Sequence, residues 1–219
     1  MKIVVIGVAR SRTTVLIEKL RIAYPHLNCL YEYYTHGLKT NNSIINLSQS
    51  LVTKNNFIVK ILSHNGLSST NPQDFCLEQY DQLFLIERPD FFNQCCSLEF
   101  SGATNIWHRR RLSDSHEKIL LQKFLLKKDI ILFQAQSVAK YLEIKKYIID
   151  NKLNYFLHDY NDFESVPKTI IAENNLNYSK IFKNYHLKND VENLFFKYFS
   201  YSTCEYNPLA FNEDLNKIF

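Results

Sequence analysis

The residues with the clearest chemical potential lie within the first fourteen of this 219-residue chain, in Gly7-Val8-Ala9-Arg10-Ser11-Arg12-Thr13-Thr14. Two arginines, a serine and two threonines follow an apolar run and precede a segment of helical period, so they fall where a strand turns into a helix. The N-terminus of a helix presents N–H groups without intrahelical partners and a partial positive charge, and it attracts anions. Hydroxyls add donors, and guanidinium groups add charge in a fork that matches phosphate or sulfate oxygens. The same residues also fit a capped helix with surface arginines, since Ser11 or Thr13 is an acceptable N-cap.

The spacing resembles the phosphate loop of nucleotide hydrolases, but Thr13 stands where that motif has lysine, the residue that reaches the β- and γ-phosphates. That substitution disfavours a conventional kinase or NTPase. The dinucleotide fingerprint fails as well, because Gly7 is the loop's one glycine.

A second constellation is Leu85-Ile86-Glu87-Arg88-Pro89-Asp90, in which an apolar run ends in an arginine, followed by a helical segment carrying Gln94, Cys95, Cys96 and Ser97. A guanidinium fork and a compact hydroxyl suit a dianionic phosphate. Pro89 and Asp90 also read as an ordinary helix start.

Together these segments resemble the sulfotransferases that use 3′-phosphoadenosine 5′-phosphosulfate. Residues Arg10-Ser11-Arg12-Thr13-Thr14 are similar to that family's Arg-Ser-Gly-Thr-Thr loop. The resemblance implies that Arg10, Ser11, Arg12, Thr13 and Thr14 hold the 5′-phosphosulfate, and that Arg88 and Ser97 hold the 3′-phosphate. Cys96 is the alternative to Ser97 in a register shifted by one, and a thiol is a poor donor. Arg12 departs from the family's glycine; if the position demands positive φ, a side chain there costs about 1 kcal/mol. A further segment, Phe156-Leu157-His158-Asp159-Tyr160-Asn161, resembles the late strand and acidic stretch of these folds, with Asn161 in the place of its glutamate.

The implied activity is transfer of a sulfuryl group to an acceptor hydroxyl or amine, on a small molecule or a carbohydrate, with adenosine 3′,5′-bisphosphate as product. Such transfer needs a base, cations and in-line positioning, and no metal. Two residues resemble the family's bases. Glu32, among tyrosines after the first helix, is favoured, since desolvation there raises a carboxylate pKa toward neutrality. His64 follows Lys60 with three residues between them, against one in the small-molecule branch of the family. Arg10 completes the candidate catalytic set. Trp107 or the Phe91-Phe92 pair has the surface to stack on adenine, and Arg109-Arg110-Arg111 has the charge to steer an acidic acceptor. The rival readings are a nucleotide-dependent phosphotransferase and a nucleotide-binding module without turnover.

These residues require a scaffold. Ile3–Ile6, Asn56–Leu62, Gln82–Glu87 and Asn154–His158 are short apolar runs, the pattern of strands buried on both faces of a parallel sheet. Helical stretches are expected at Thr13–Ala23, Ser43–Val52, Pro72–Tyr80, Asp90–Glu99 and Asp114–Asn151, with a break near Asp129, and over most of the last sixty residues. Alternating strands and helices predict an α/β fold, a three-layer P-loop-type arrangement with a central parallel sheet flanked by helices. The length suits one domain spanning residues 1–219.

Composition narrows the class further. Hydrophobic residues are 46% and charged ones 22%, ordinary for a globular chain, and the net charge of +4 is too mild to argue for nucleic acid. The 5 cysteines have no metal-ligand spacing, which points to a reducing compartment. Arg10 and Arg12 interrupt the apolar N-terminus where a signal peptide would be cleaved, and no stretch has the length of a membrane span. A cytoplasmic location is expected.

Overall fold

A computed structural model describes residues 1–31, 33–34, 43–66, 71–104, 122–159, 176–199 and 206–219. The strands are β1 Lys2–Gly7, β2 Asn28–Leu30, β3 Phe57–Leu62, β4 Gln82–Ile86 and β5 Tyr155–His158. The helices are α1 Thr13–Ala23, α2 Ile44–Val52, α3 Phe91–Thr104, α4 Lys128–Asp150, α5 Tyr178–Ile181, α6 Lys188–Tyr198 and α7 Pro208–Ile218. Contacts group the chain into two compact units, Met1–Glu87 with Ser137–Val166, and Arg88–Gln136 with Pro167–Phe219.

The first unit is built on one sheet of five parallel strands in the order β2-β3-β1-β4-β5, flanked by helices and consistent with the three-layer P-loop-type arrangement. The continuous apolar character of β1 and β3 follows from this position, because both faces of a central parallel strand are covered. Ile3, Val4, Val5 and Ile6 are fully buried, as are Ile58, Val59 and Ile61. Helix α1 packs against β1 and β3, and its Val15, Leu16, Ile17 and Leu20 are buried. It ends where the Tyr24 N–H donates to the Leu20 carbonyl at 2.7 Å, just before Pro25.

In register, Gly7 ends β1 beside Leu62 of β3 on one side and Ile86 of β4 on the other. β1 is followed in chain order by strands on one side, β2 and β3, and then by β4 and β5 on the other. The carboxyl end of β1 is therefore a topological switch point, the position at which open α/β sheets bind ligands. The order differs from both the dinucleotide order 3-2-1-4-5-6 and the flavodoxin order 2-1-3-4-5.

Two expectations are corrected. Pro72–Tyr80 is two short 3-10 turns, Pro72–Phe75 and Leu77–Gln79, in place of a helix. Cys76 between them takes a left-handed conformation, φ 51°, which no helix continues through. Of the helix expected over Asp114–Asn151, residues 114–121 lie outside the described residues and 122–127 are not helical, so α4 starts only at Lys128, next to the break expected near Asp129. Strand β2 was not anticipated: three residues long and at most half-buried, it carries no apolar run to announce it.

The second unit has an aromatic core. Phe91 of α3 stacks on Phe195 of α6 with ring centroids 4.1 Å apart, and Phe195 stacks on Phe199 at 4.7 Å. Phe92 meets Tyr185 edge-on at 5.5 Å. Each such pair adds about 0.5–1.5 kcal/mol to what its buried area contributes. Phe91 and Phe92 are 1% and 0% exposed, so this packing takes the two rings that adenine stacking would need. Among the described residues, no helix is long and apolar enough to cross a membrane.

Candidate functional site

The loop between β1 and α1 is a tight turn followed by a strained helix entry. The Ser11 N–H and the Ser11 hydroxyl both donate to the Val8 carbonyl, at 3.2 and 2.6 Å, closing a four-residue turn. Arg10 occupies the third position of that turn with φ 66°, the position that type II turns give to glycine. Arg12, immediately before the helix, is also left-handed, with φ 63° and ψ 21°. Its side chain does not cap the helix, and its carbonyl accepts the first helical hydrogen bond from Leu16 at 3.1 Å. The slot that the sequence comparison gave to glycine is thus one that asks for glycine, and arginine fills it.

The loop folds tightly over the end of β1. A methyl group on Gly7 would lie 2.6 Å from the Ser11 Oγ, 2.7 Å from the Thr13 Cγ2 and 2.9 Å from the Ile86 Cγ2. Only a residue without Cβ admits this close approach. Ser11 is completely buried and Thr13 is 4% exposed, whereas Arg10, Arg12 and Thr14 are partly exposed. The Ser11 hydroxyl proton is committed to the Val8 carbonyl, and the Thr13 methyl abuts Gly7.

Sequence reasoning left Lys60 out of the site. It lies in the middle of β3, opposite Val5 of β1, is 5% exposed, and its Nζ donates to the Thr14 Oγ1 at 3.3 Å. A buried ammonium is costly unless paired or hydrogen-bonded. The signal was present: one lysine within the apolar run Phe57-Ile58-Val59-Lys60-Ile61-Leu62 has to face something polar. The lysine that is missing from position 13 of the loop thus has a counterpart contributed by the adjacent strand.

His64 sits in the 3-10 turn Ser63–Gly66 directly after β3, at the same carboxyl edge of the sheet as the loop. Ser63 beside it is fully buried, and Asn65 accepts from the Leu62 N–H at 3.2 Å, which fixes the turn. Glu32 lies outside the described residues, as do Trp107, Arg109-Arg110-Arg111 and Asn161. The residue before Glu32 is anchored to α1. The Tyr31 hydroxyl donates to Glu18 at 2.5 Å, and Glu18 also accepts from Arg21 at 2.9 Å. Burial, reinforced by the bond to Glu18, holds the Tyr31 phenol protonated well above its ordinary range.

Arg88 and Ser97 belong to the second unit. The Arg88 side chain is 11% exposed, with Nη2 4.0 Å from the Asp90 Oδ2. Asp90 caps α3: it accepts from the Asn93 N–H at 3.2 Å and the Asn93 side-chain amide at 2.6 Å. Ser97 is 4% exposed on α3, and Cys96 next to it is fully buried. Burial, with Asp90 as a lesser contributor, pushes the Cys96 thiol far up, so it stays neutral.

No family model matches this sequence, and neither a curated protein nor a solved structure is significantly similar to it. The case for the site therefore rests on its own geometry. Among the described residues, five non-glycine positions have positive φ, and two of the five lie in this one loop. Such strain costs roughly 1–2 kcal/mol per residue and gathers at ligand clamps and active sites, where surrounding structure holds it in place. The loop thus joins two guanidinium groups, the first turn of a helix and a buried ammonium at the switch point of the sheet. Chemically, it is equipped to hold a multiply charged anion.

Proposed function

We propose that the chain is a sulfotransferase that takes a sulfuryl group from 3′-phosphoadenosine 5′-phosphosulfate, with the loop between β1 and α1 holding the phosphosulfate. The observation that supports this reading is the pair of left-handed arginines, Arg10 and Arg12, in the loop that leads into α1, whose Thr14 accepts from the Lys60 ammonium. As the sulfuryl group departs, charge builds on the oxygen that bridges to the 5′-phosphate. Fixed cations aimed there stabilise that charge more than they stabilise the bound donor. In this reading Arg10 and Arg12 hold the non-bridging oxygens, and Lys60, steadied by Thr14, neutralises the leaving phosphate. Glu32 or His64 takes the acceptor proton, and Arg88 with Ser97 holds the 3′-phosphate. The acceptor, a small molecule or a carbohydrate, is met by the other loops at the carboxyl edge of the sheet.

Thermal unfolding with adenosine 3′,5′-bisphosphate, compared with ATP and magnesium, tests the donor. At one hundred times Kd the bisphosphate is expected to raise Tm by about 5–10 °C, and ATP with magnesium to do little. Equal or reversed shifts would overturn the assignment and favour a phosphotransferase. An Arg88→Ala chain is expected to lose its preference for the 3′,5′-bisphosphate over the 5′-monophosphate. A Glu32→Gln chain is expected to bind the bisphosphate normally and lose transfer; unchanged turnover would move the base to His64.

A further inference from the structure

The first turn of α3 is held by a side chain from far along the sequence. Glu192, on α6, accepts from the Phe92 N–H at 2.7 Å through Oε1. Its other oxygen, Oε2, is buried and has no partner. Asp90 caps the same turn and faces Glu192. Two ionised carboxylates at one helix start are both acceptors, so neither can satisfy the other, and their charges repel. A single proton resolves the conflict: placed on Glu192 Oε2, it forms an O–H donor toward Asp90 while Oε1 keeps its bond to Phe92.

We infer that Glu192 and Asp90 form a proton-operated latch that fastens α6 to the first turn of α3, closed when one proton is shared between the two carboxylates. The surrounding groups leave the proton to this pair. Arg88 places its Nη2 4.0 Å from the Asp90 Oδ2, a positive charge beside that carboxylate. Lys188, one turn earlier on α6, partly offsets the charge of Glu192. Cys95 and Cys96 of α3 are fully buried, and burial keeps both thiols neutral. Burial is also the main reason that Glu192 is pushed up to about 7, with Asp90 adding to it and the Phe92 N–H opposing it. The sign follows from linkage. The folded chain holds a proton that an unfolded glutamate releases near 4.5. The latch's contribution is therefore whole below about pH 4.5 and is lost as pH rises through about 7.

This inference does not depend on the nucleotide reading. Its test is thermal unfolding of the full chain and of Glu192→Gln between pH 4.5 and 8.5. Glutamine imitates the closed latch permanently, accepting from Phe92 through Oε1 and donating to Asp90 through Nε2. The variant is expected to match the unaltered chain near pH 4.5, to begin to exceed it by pH 5.5, and to exceed it by about 5 °C or more at pH 8.5. A variant equal to or less stable than the unaltered chain at pH 8.5 would overturn the latch. If Glu192→Gln does not fold, the Phe92 amide resonance of the unaltered chain decides. A shift titrating within about one unit of pH 7 supports the latch, and a resonance unmoved across this range refutes it.

Discussion

Replacing Arg12 separates what the loop's backbone costs from what its charge does. At φ 63° and ψ 21° a side chain costs about 1–2 kcal/mol. Glycine removes that cost but returns about 0.5–1 kcal/mol through the freedom it gives the unfolded chain. Arg12→Gly should therefore be roughly 0–1.5 kcal/mol more stable than the unaltered protein, before any lost contacts of the guanidinium. Those contacts cancel when Arg12→Gly is compared with Arg12→Ala, since both remove them. Alanine keeps the Cβ strain, so glycine should exceed alanine by about 1 kcal/mol, the reverse of the order at right-handed positions.

Urea unfolding with a common m-value measures this difference. Binding of adenosine 3′,5′-bisphosphate to the same two variants measures the charge. A hydrogen bond to an ionised partner contributes about 1.5–3 kcal/mol, so both variants should lose at least tenfold in affinity. Stability that rises with glycine while affinity falls in both is the signature of strain held for binding. If alanine proves as stable as glycine, the loop is not left-handed at Arg12. If affinity is unchanged, the guanidinium does not touch the anion.

Other substitutions probe the neighbouring parts. Gly7→Ala should destabilise by about 1–3 kcal/mol in urea unfolding, because its Cβ would stand within 3 Å of Ser11, Thr13 and Ile86; a neutral outcome would mean the loop does not close over β1. Gly102→Ala should do the opposite. It lies in α3 with nothing within 4 Å of a new Cβ, so about 0.8 kcal/mol of stabilisation is expected, read by the same method. Lys60→Met should leave the fold intact while weakening bisphosphate binding tenfold or more by calorimetry; unchanged binding would reduce Lys60 to a structural bond with Thr14.

How much of this was legible beforehand follows from where each signal lies. β1, β3 and β4 are announced by apolar runs because they are central strands, covered on both faces. β2 is a three-residue edge with an exposed and two half-buried positions, and nothing in Asn28-Cys29-Leu30 distinguishes it from a loop. Pro72–Tyr80 carries a genuine helix start, with Pro72 in its first turn and Asp74 accepting from the Asn71 N–H, and the break at Cys76 is a backbone choice that composition does not encode. Within the site, the loop was legible because its residues are consecutive. Lys60 is brought to the loop by parallel pairing across more than forty residues, and Glu192 reaches Phe92 across a hundred, so neither partnership leaves a local trace.

The structure also divides the labour among the five loop residues that the sequence grouped together. Ser11 and Thr13 face inward: one hydroxyl ties the turn to Val8, and one methyl fills the space above Gly7. They build the cradle, and neither has a side chain turned to solvent. Arg10, Arg12 and Thr14 alternate with them and are partly exposed, so under the proposed function it is these three side chains that would meet the phosphosulfate. The alternation explains why the strain is tolerated. Two left-handed arginines cost about 2–4 kcal/mol together, and the buried hydrogen bond and close packing between them hold the backbone in that shape without a ligand. A site arranged in advance loses less conformational freedom when it binds. Under the proposed function, Ser11→Ala, which frees the Val8 carbonyl and loosens the turn, should weaken adenosine 3′,5′-bisphosphate binding measured by calorimetry, through the shape of the loop and without a lost contact, since the Ser11 hydroxyl is buried and bonded to Val8.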